Sequence, residues 1–106
     1  MIPVAEPDLS ANESTYVRNA ISSGWVSANG PYVEEFEERI AKVSGRSWCV
    51  ATVTGTAALH TALYAAGVHR GVSVSILALT FIATANAVKF CGAEVQVRDI
   101  DTGFPI

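Results

Sequence analysis

A glycine flanked by two hydroxyl residues, Thr54-Gly55-Thr56, stands directly before an apolar run that reads as a helix. At a helix N-terminus such a turn offers free backbone donors, two side-chain hydroxyls and the positive end of the dipole, which together suit a phosphate. A plainer account also holds, with Thr54 as an N-cap and Gly55 as a tight turn, and taken alone it is the simpler one. The turn is neither a Walker loop nor a dinucleotide fingerprint, since both need further glycines. Thr80-Phe81 follows an apolar strand-like run, where an aromatic ring either stacks on a planar ligand or fills the core. His60, among Ala57, Ala58 and Leu59, reads as a structural histidine, and Lys89 as a surface cation compatible with the end of a helix. Asp99 and Asp101 can bind substrate, but acidic residues after a strand more often start a turn. The run Glu34, Glu35, Glu37, Glu38 has no histidine or aspartate beside it and reads as a solvated helix face, so no metal site is expected.

Helices, strands and turns must place these groups. Ser10-Ala11-Asn12-Glu13 fits a capping box in which Ser10 and Glu13 satisfy each other's backbone donors. Tyr16, Val17, Ala20 and Ile21 then recur at helical spacing, with the stop at Ser22-Ser23-Gly24. A loop from Trp25 through Ala28 to Gly30 leads to Pro31, which suits the first helical position, and to the apolar stripe Val33, Phe36, Ile40 and Val43, ended by Gly45. From Ser47 the pattern changes. Trp48-Cys49-Val50-Ala51-Thr52-Val53 reads as a buried strand, and Leu59, Ala62, Leu63 and Ala66 lie on a helix closed by Gly67. Val72–Leu79 reads as a second strand, Thr80–Phe90 as a helix closed by Gly92, and Glu94–Ile100 as a third strand. Strand, helix, strand, helix, strand at this spacing predicts a parallel α/β sheet. In such a sheet ligands bind at the carboxyl ends of the strands, so Thr54–Ala57, Leu79–Thr84 and Asp99–Asp101 are expected at one edge.

The chain has 106 residues, half of them hydrophobic and only 16% charged, with a net charge of -3 and a pI near 5.2. Charged residues fall below the roughly 25% of a typical soluble domain, which points to faces meant to be covered by more protein. The acidic balance argues against a nucleic-acid partner. The stretch from Val72 to Val88 is broken by Ser73, Ser75, Thr80, Thr84 and Asn86, and is shorter than the about 18 uninterrupted apolar residues of a membrane span. Met1–Ser10 has neither the basic start nor the apolar run of a signal peptide. Cys49 and Cys91 are too few and too far apart for a disulfide scaffold or a zinc site, and read as small buried residues. A soluble, cytoplasmic chain without a membrane anchor is expected.

Four segments in order resemble one family. Gly24-Trp25-Val26-Ser27, Gly30-Pro31-Tyr32-Val33-Glu34-Glu35-Phe36-Glu37, Thr54-Gly55-Thr56-Ala57-Ala58-Leu59-His60 and Thr80-Phe81-Ile82-Ala83-Thr84-Ala85-Asn86-Ala87 look like the DegT/DnrJ/EryC1/StrS aminotransferases. The resemblance runs from about Ile2 to Asp101. It implies the N-terminal piece of the large domain of a fold type I pyridoxal-phosphate enzyme, an α/β fold with a parallel three-strand βαβαβ sheet preceded by two helices. Residues 1–46 would be an N-terminal helical segment, and residues 47–106 a truncated cofactor-binding α/β domain. It further implies that Gly55 and Thr56 hold the phosphate of pyridoxal phosphate, that Phe81 stacks on its pyridine ring, and that Thr84 and Asn86 lie near the site. The implied reaction is amino transfer from glutamate to a nucleotide-linked keto-sugar by a homodimeric enzyme, of the kind that makes polysaccharide or antibiotic amino sugars.

Three departures bear on that reading. Gly71-Val72-Ser73-Val74 stands where the family has Gly-Asp-Glu-Val, and Leu77 stands where a proline is usual. Members of the family are several times longer, and the part without a counterpart here carries the Schiff-base lysine, the aspartate that pairs with the pyridine nitrogen and the sugar-nucleotide surface. Neither Lys42 nor Lys89 lies in the serine-containing context of that lysine, so no catalytic residue is assigned. The expectation is an N-terminal fragment, truncated or one half of a split enzyme, that is inactive alone. The alternatives from other classes are a small phosphate-ligand binding module and an inert remnant that associates with a full-length relative.

Overall fold

The structure, a computed structural model, describes Ile2, residues 5–27 and residues 29–100, so Ala28 of the predicted loop and Asp101 of the third predicted strand end lie outside the described residues. The chain divides into two compact units, residues 1–51 and 52–106.

The first unit carries α1 (Glu13–Ser23) and α2 (Pro31–Ser44). The predicted capping box does not form. The N-cap is Asn12 rather than Ser10, the Glu13 carboxylate accepts from the Ala11 N–H at 3.0 Å, and the Ser10 N–H donates to Asp8 Oδ1 at 3.0 Å. Hydrogen bonds from the Ser10 hydroxyl and backbone hold the Asp8 carboxyl below its ordinary pKa. An aspartate two residues before Ser10 thus outcompetes the box, because a short carboxylate closes its own turn at little entropic cost. Gly24 ends α1 in the left-handed conformation, and Pro31 opens α2 at the first helical position, as the sequence predicts. Tyr16 and Tyr32 meet edge to face across the two helices, with ring centroids 5.8 Å apart.

The acidic face of α2 is only partly solvated. Glu34 and Glu38 are exposed, whereas Glu35 pairs with Arg39 one turn on and Glu37 is half-buried. Glu37 Oε1 accepts the Ala51 N–H at 2.7 Å. That bond bears on the largest difference from the sequence expectation: residues 48–53 form no strand. A strand exists only through a ladder partner. Here the central N–H of the segment is taken by a helix carboxylate, and Trp48, Val50 and Val53 remain exposed.

The second unit is built from α3 (Gly55–Ala65), β1 (Ser73–Leu77), α4 (Ile82–Phe90) and β2 (Glu94–Arg98). The sheet therefore has two parallel strands among the described residues rather than the three expected, with the register Ser73 to Glu94 through Leu77 to Arg98. One β-α-β crossover and one further helix remain. α4 packs on both strands, and α3 packs on α4. The core is correspondingly small: Ala83, Ala87, Val88 and Ala93 are buried, and the small residues let the helix backbones approach. Val74, Ile76 and Val95 are half-buried, Val97 is exposed, and Cys49 and Cys91 are half-buried free thiols rather than buried ones. Among the described residues no helix is long and apolar enough to cross a membrane.

Candidate functional site

Thr54 lies in extended backbone (φ -150°, ψ 159°), and its hydroxyl oxygen accepts the Ala57 N–H at 3.1 Å. The Thr54 carbonyl accepts from the Ala58 N–H at 3.0 Å, so the helix begins at Gly55. An α-helix leaves its first N–H groups without intrahelical acceptors. The cap consumes the third of these, and among the described residues the amides of Gly55 and Thr56 have no acceptor and stand at the positive end of the dipole. The cap and the phosphate accounts are therefore compatible, since capping takes only one donor.

Gly55 is not required by backbone strain. Its φ lies outside the left-handed region, and a Cβ added to it would meet nothing within 4 Å. The missing side chain instead adds to the open space at the helix N-terminus. That space is what an anion needs to reach a backbone.

Phe81 follows β1 and occupies the N-cap position of α4, with φ -72° and ψ 142°. Phe81 is 79% exposed, so it is not a core residue of this unit. The parallel register that pairs Leu77 with Arg98 brings residues 78–81 and Asp99 to the same carboxyl edge of the sheet. Asp99 Oδ1 accepts the N–H of Ile100 at 2.9 Å and closes a local turn. The segment before Thr54 is not part of the ladder, so the Gly55-Thr56 turn is held by the packing of α3 on α4.

His60 is half-buried and meets the Phe90 ring at 5.7 Å with an interplanar angle of 62°, and the Cys91 thiol approaches its carbonyl at 4.0 Å. These residues and Tyr64, Val68 and His69 line an open groove of about 420 Å³ that contains none of Gly55, Thr56 or Phe81. Among the described residues no cluster of histidine, cysteine and carboxylates could hold a metal ion. One feature escaped the sequence reading: Thr80 Oγ1 and Thr84 Oγ1 are hydrogen-bonded at 3.0 Å. Two threonines four apart across a helix start were its only sequence signal.

The sequence profile of the DegT/DnrJ/EryC1/StrS aminotransferase family matches residues 7–104. The GDP-perosamine synthase of Escherichia coli O157:H7 is 39% identical over 100 residues, which cover 94% of this chain and 28% of that protein. The GDP-perosamine synthase of Caulobacter vibrioides is 41% identical over 100 residues, covering 94% of this chain and 27% of its own. Among solved structures, Spr1654 of Streptococcus pneumoniae, assigned as a sugar aminotransferase and determined in PLP, PMP and apo forms, superposes with a TM-score of 0.85 at 30% identity. That match covers 97% of this chain and 26% of Spr1654. The aminotransferase of Psychrobacter cryohalolentis superposes with a TM-score of 0.81 at 29% identity, over 93% of this chain and 26% of its own. The chain thus spans about a quarter of the length of the relatives it matches, and its architecture is an N-terminal piece of the fold type I α/β domain. Sequence profile, relatives and superposition agree: the chain belongs to the DegT/DnrJ/EryC1/StrS aminotransferase family.

Proposed function

We propose that this chain supplies the phosphate cradle and the ring platform of a pyridoxal-phosphate-dependent aminotransferase acting on nucleotide-linked keto-sugars. The observation that carries the reading is the N-terminus of α3, where Thr54 caps only the Ala57 amide and a side chain at Gly55 would meet open space. A phosphate monoester would be held by the Gly55 and Thr56 N–H groups and the Thr56 hydroxyl, and Phe81 would offer its exposed face to the pyridine ring. Bound there, pyridoxal phosphate would supply the electron sink for amino transfer. The roles proposed for these residues are binding and orientation.

Glutamate as donor, a homodimeric assembly and a cytoplasmic location follow from the same reading. The substrate class named by the GDP-perosamine synthases favours a GDP-linked sugar. Pyridoxamine phosphate is the suitable probe, because it carries the phosphate and the ring but cannot form an imine with a surface lysine. Equilibrium dialysis of the purified chain should show saturable binding that weakens with Gly55→Val and with Phe81→Ala. Binding of inorganic phosphate or a flavin nucleotide with no preference for pyridoxamine phosphate would favour a general phosphate-ligand module instead. No saturable binding of any of these would leave the turn as a helix cap.

A further inference from the structure

The β1–β2 ladder runs one residue past the strand itself: the Ala78 N–H donates to the Arg98 carbonyl at 2.8 Å. α4 begins at Ile82. Residues 79–81 therefore join a fixed strand end to a fixed helix start, and Phe81 is the last of them. As an N-cap residue Phe81 has no side-chain acceptor for the first amides of α4. Its ring is exposed, so packing does little to set where it points. The backbone of the turn sets the direction of the Phe81 Cα–Cβ bond.

Among the described residues, one side-chain hydrogen bond spans this turn, between the Thr80 and Thr84 hydroxyls at 3.0 Å. The two residues bracket Phe81, one immediately before it and the other three residues after it. Thr84 also donates its N–H to the Phe81 carbonyl at 3.0 Å. Thr84 is half-buried beside the buried Ala83, whereas Thr80 is exposed. Thr84 is thus the anchored partner, and Thr80 is held by it.

We propose that Thr84 is a positioning residue for the Phe81 platform, acting through the Thr80 hydroxyl to fix the Thr80-Phe81 backbone and hence the direction in which the ring is projected from it. This rests on the reading of Phe81 as the pyridine platform. Thr84 need touch no ligand for this. Its hydroxyl should matter for a ligand that carries a ring and not for one that is phosphate alone.

The test titrates the purified chain, and its Thr84→Val, Thr84→Ser, Thr80→Val and Phe81→Ala variants, with pyridoxamine phosphate and separately with inorganic phosphate. Induced circular dichroism of the pyridine chromophore reports its stacking. Thr84→Val keeps the shape and removes the hydroxyl. It should weaken pyridoxamine phosphate binding by about three- to tenfold, the range expected for one net hydrogen bond, and reduce the induced signal. Inorganic phosphate affinity should stay unchanged, and Thr84→Ser should restore the wild-type behaviour. Thr80→Val removes the same bond from the exposed side and should reproduce Thr84→Val, which decides the matter if the half-buried substitution unfolds the chain. Wild-type titrations in the folded valine variants, with Phe81→Ala still impaired, would overturn the role of Thr84 alone. Failure of Thr84→Ser to rescue would assign the effect to packing and overturn it too. If Phe81→Ala binds like wild type, or wild type does not bind, the platform reading falls and this inference falls with it.

Discussion

The imidazole of His60 meets the Phe90 ring edge to face, with centroids 5.7 Å apart and planes at 62°. One residue belongs to the helix that starts at the Gly55-Thr56 turn, the other to the helix that starts just after Phe81. The pair therefore ties together the two elements that carry the candidate site, while standing outside that site itself. His60→Ala should destabilise the second unit by about 1 kcal/mol, in keeping with an aromatic pair beyond its area burial. Urea titration followed by far-ultraviolet circular dichroism checks this. The same substitution should lower pyridoxamine phosphate affinity only where it loosens α3 against α4, so His60→Phe, which keeps the contact, should bind as wild type.

Gly55→Val separates folding from binding. The added side chain meets open space, and glycine is intrinsically poor in a helix, so the fold should be unaffected or stabilised by a few tenths of a kcal/mol, about the net of the two propensities. The branched side chain would nevertheless stand over the free amides of Gly55 and Thr56. Cofactor-analogue affinity is expected to fall at least tenfold, roughly the loss of one charge-assisted hydrogen bond. A variant with unchanged melting and unchanged affinity would show that the turn does no more than start a helix.

Gly30 behaves in the opposite way. Its φ is +153°, and an added Cβ would lie 2.9 Å from Trp25 Cε3, so the indole packs directly on the glycine backbone. Gly30→Ala should shift the indole and strain the turn into α2, at a cost of about 1–3 kcal/mol. Trp48 is exposed, so the change is best read as a red-shifted or quenched emission in a Trp48→Phe background. Unaltered emission and melting would mean that the Trp25 packing is dispensable.

Amino transfer by this chain alone is not expected. Its lysines are Lys42 and Lys89, which lie in the last turns of α2 and α4. Lys89 stands eight residues beyond Phe81 on the same helix, about 12 Å along the axis at 1.5 Å per residue. A reacting amine must be aimed within about 3–3.5 Å of its target. Borohydride reduction with pyridoxal phosphate followed by peptide mapping should give only substoichiometric labelling of either lysine. Stoichiometric labelling of one of them, with turnover from glutamate to a keto-sugar nucleotide lost on its replacement by alanine, would refute the binding-only reading.

Exposed apolar side chains should also govern behaviour in solution. Leu77, Leu79, Ile82, Phe90 and Val97 are all more than half exposed in the second unit, and among the described residues its two-stranded sheet has unpaired edges. Contiguous apolar surface and open strand edges promote association. Sizing chromatography is expected to show concentration-dependent oligomers, and a sharp monomer at every concentration would contradict this.

Local signals in the sequence were enough for much of the architecture. Pro31, Gly24 and Gly45 mark helix ends through backbone geometry that depends on nearest neighbours only, and β1, α4 and β2 follow from hydrophobic periodicity. A glycine between hydroxyls and an aromatic after a strand stand out as short words, but on their own they spell a helix cap and a core ring, and the proposed roles of Gly55, Thr56 and Phe81 come from the family resemblance. What required tertiary structure was partnership. Residues 48–53 have the composition of a strand, but composition cannot say whether a ladder partner is present, and Glu37 captures the Ala51 amide from fourteen residues away. Likewise Thr54 and Gly55 spell both a cap and a cradle, and only the placed atoms show that the cap spends one donor and that a side chain at Gly55 would meet open space. The exposure of Phe81 was undecided for the same reason: a side chain's burial is a property of what surrounds it, and the chain's neighbours in sequence do not determine its neighbours in space.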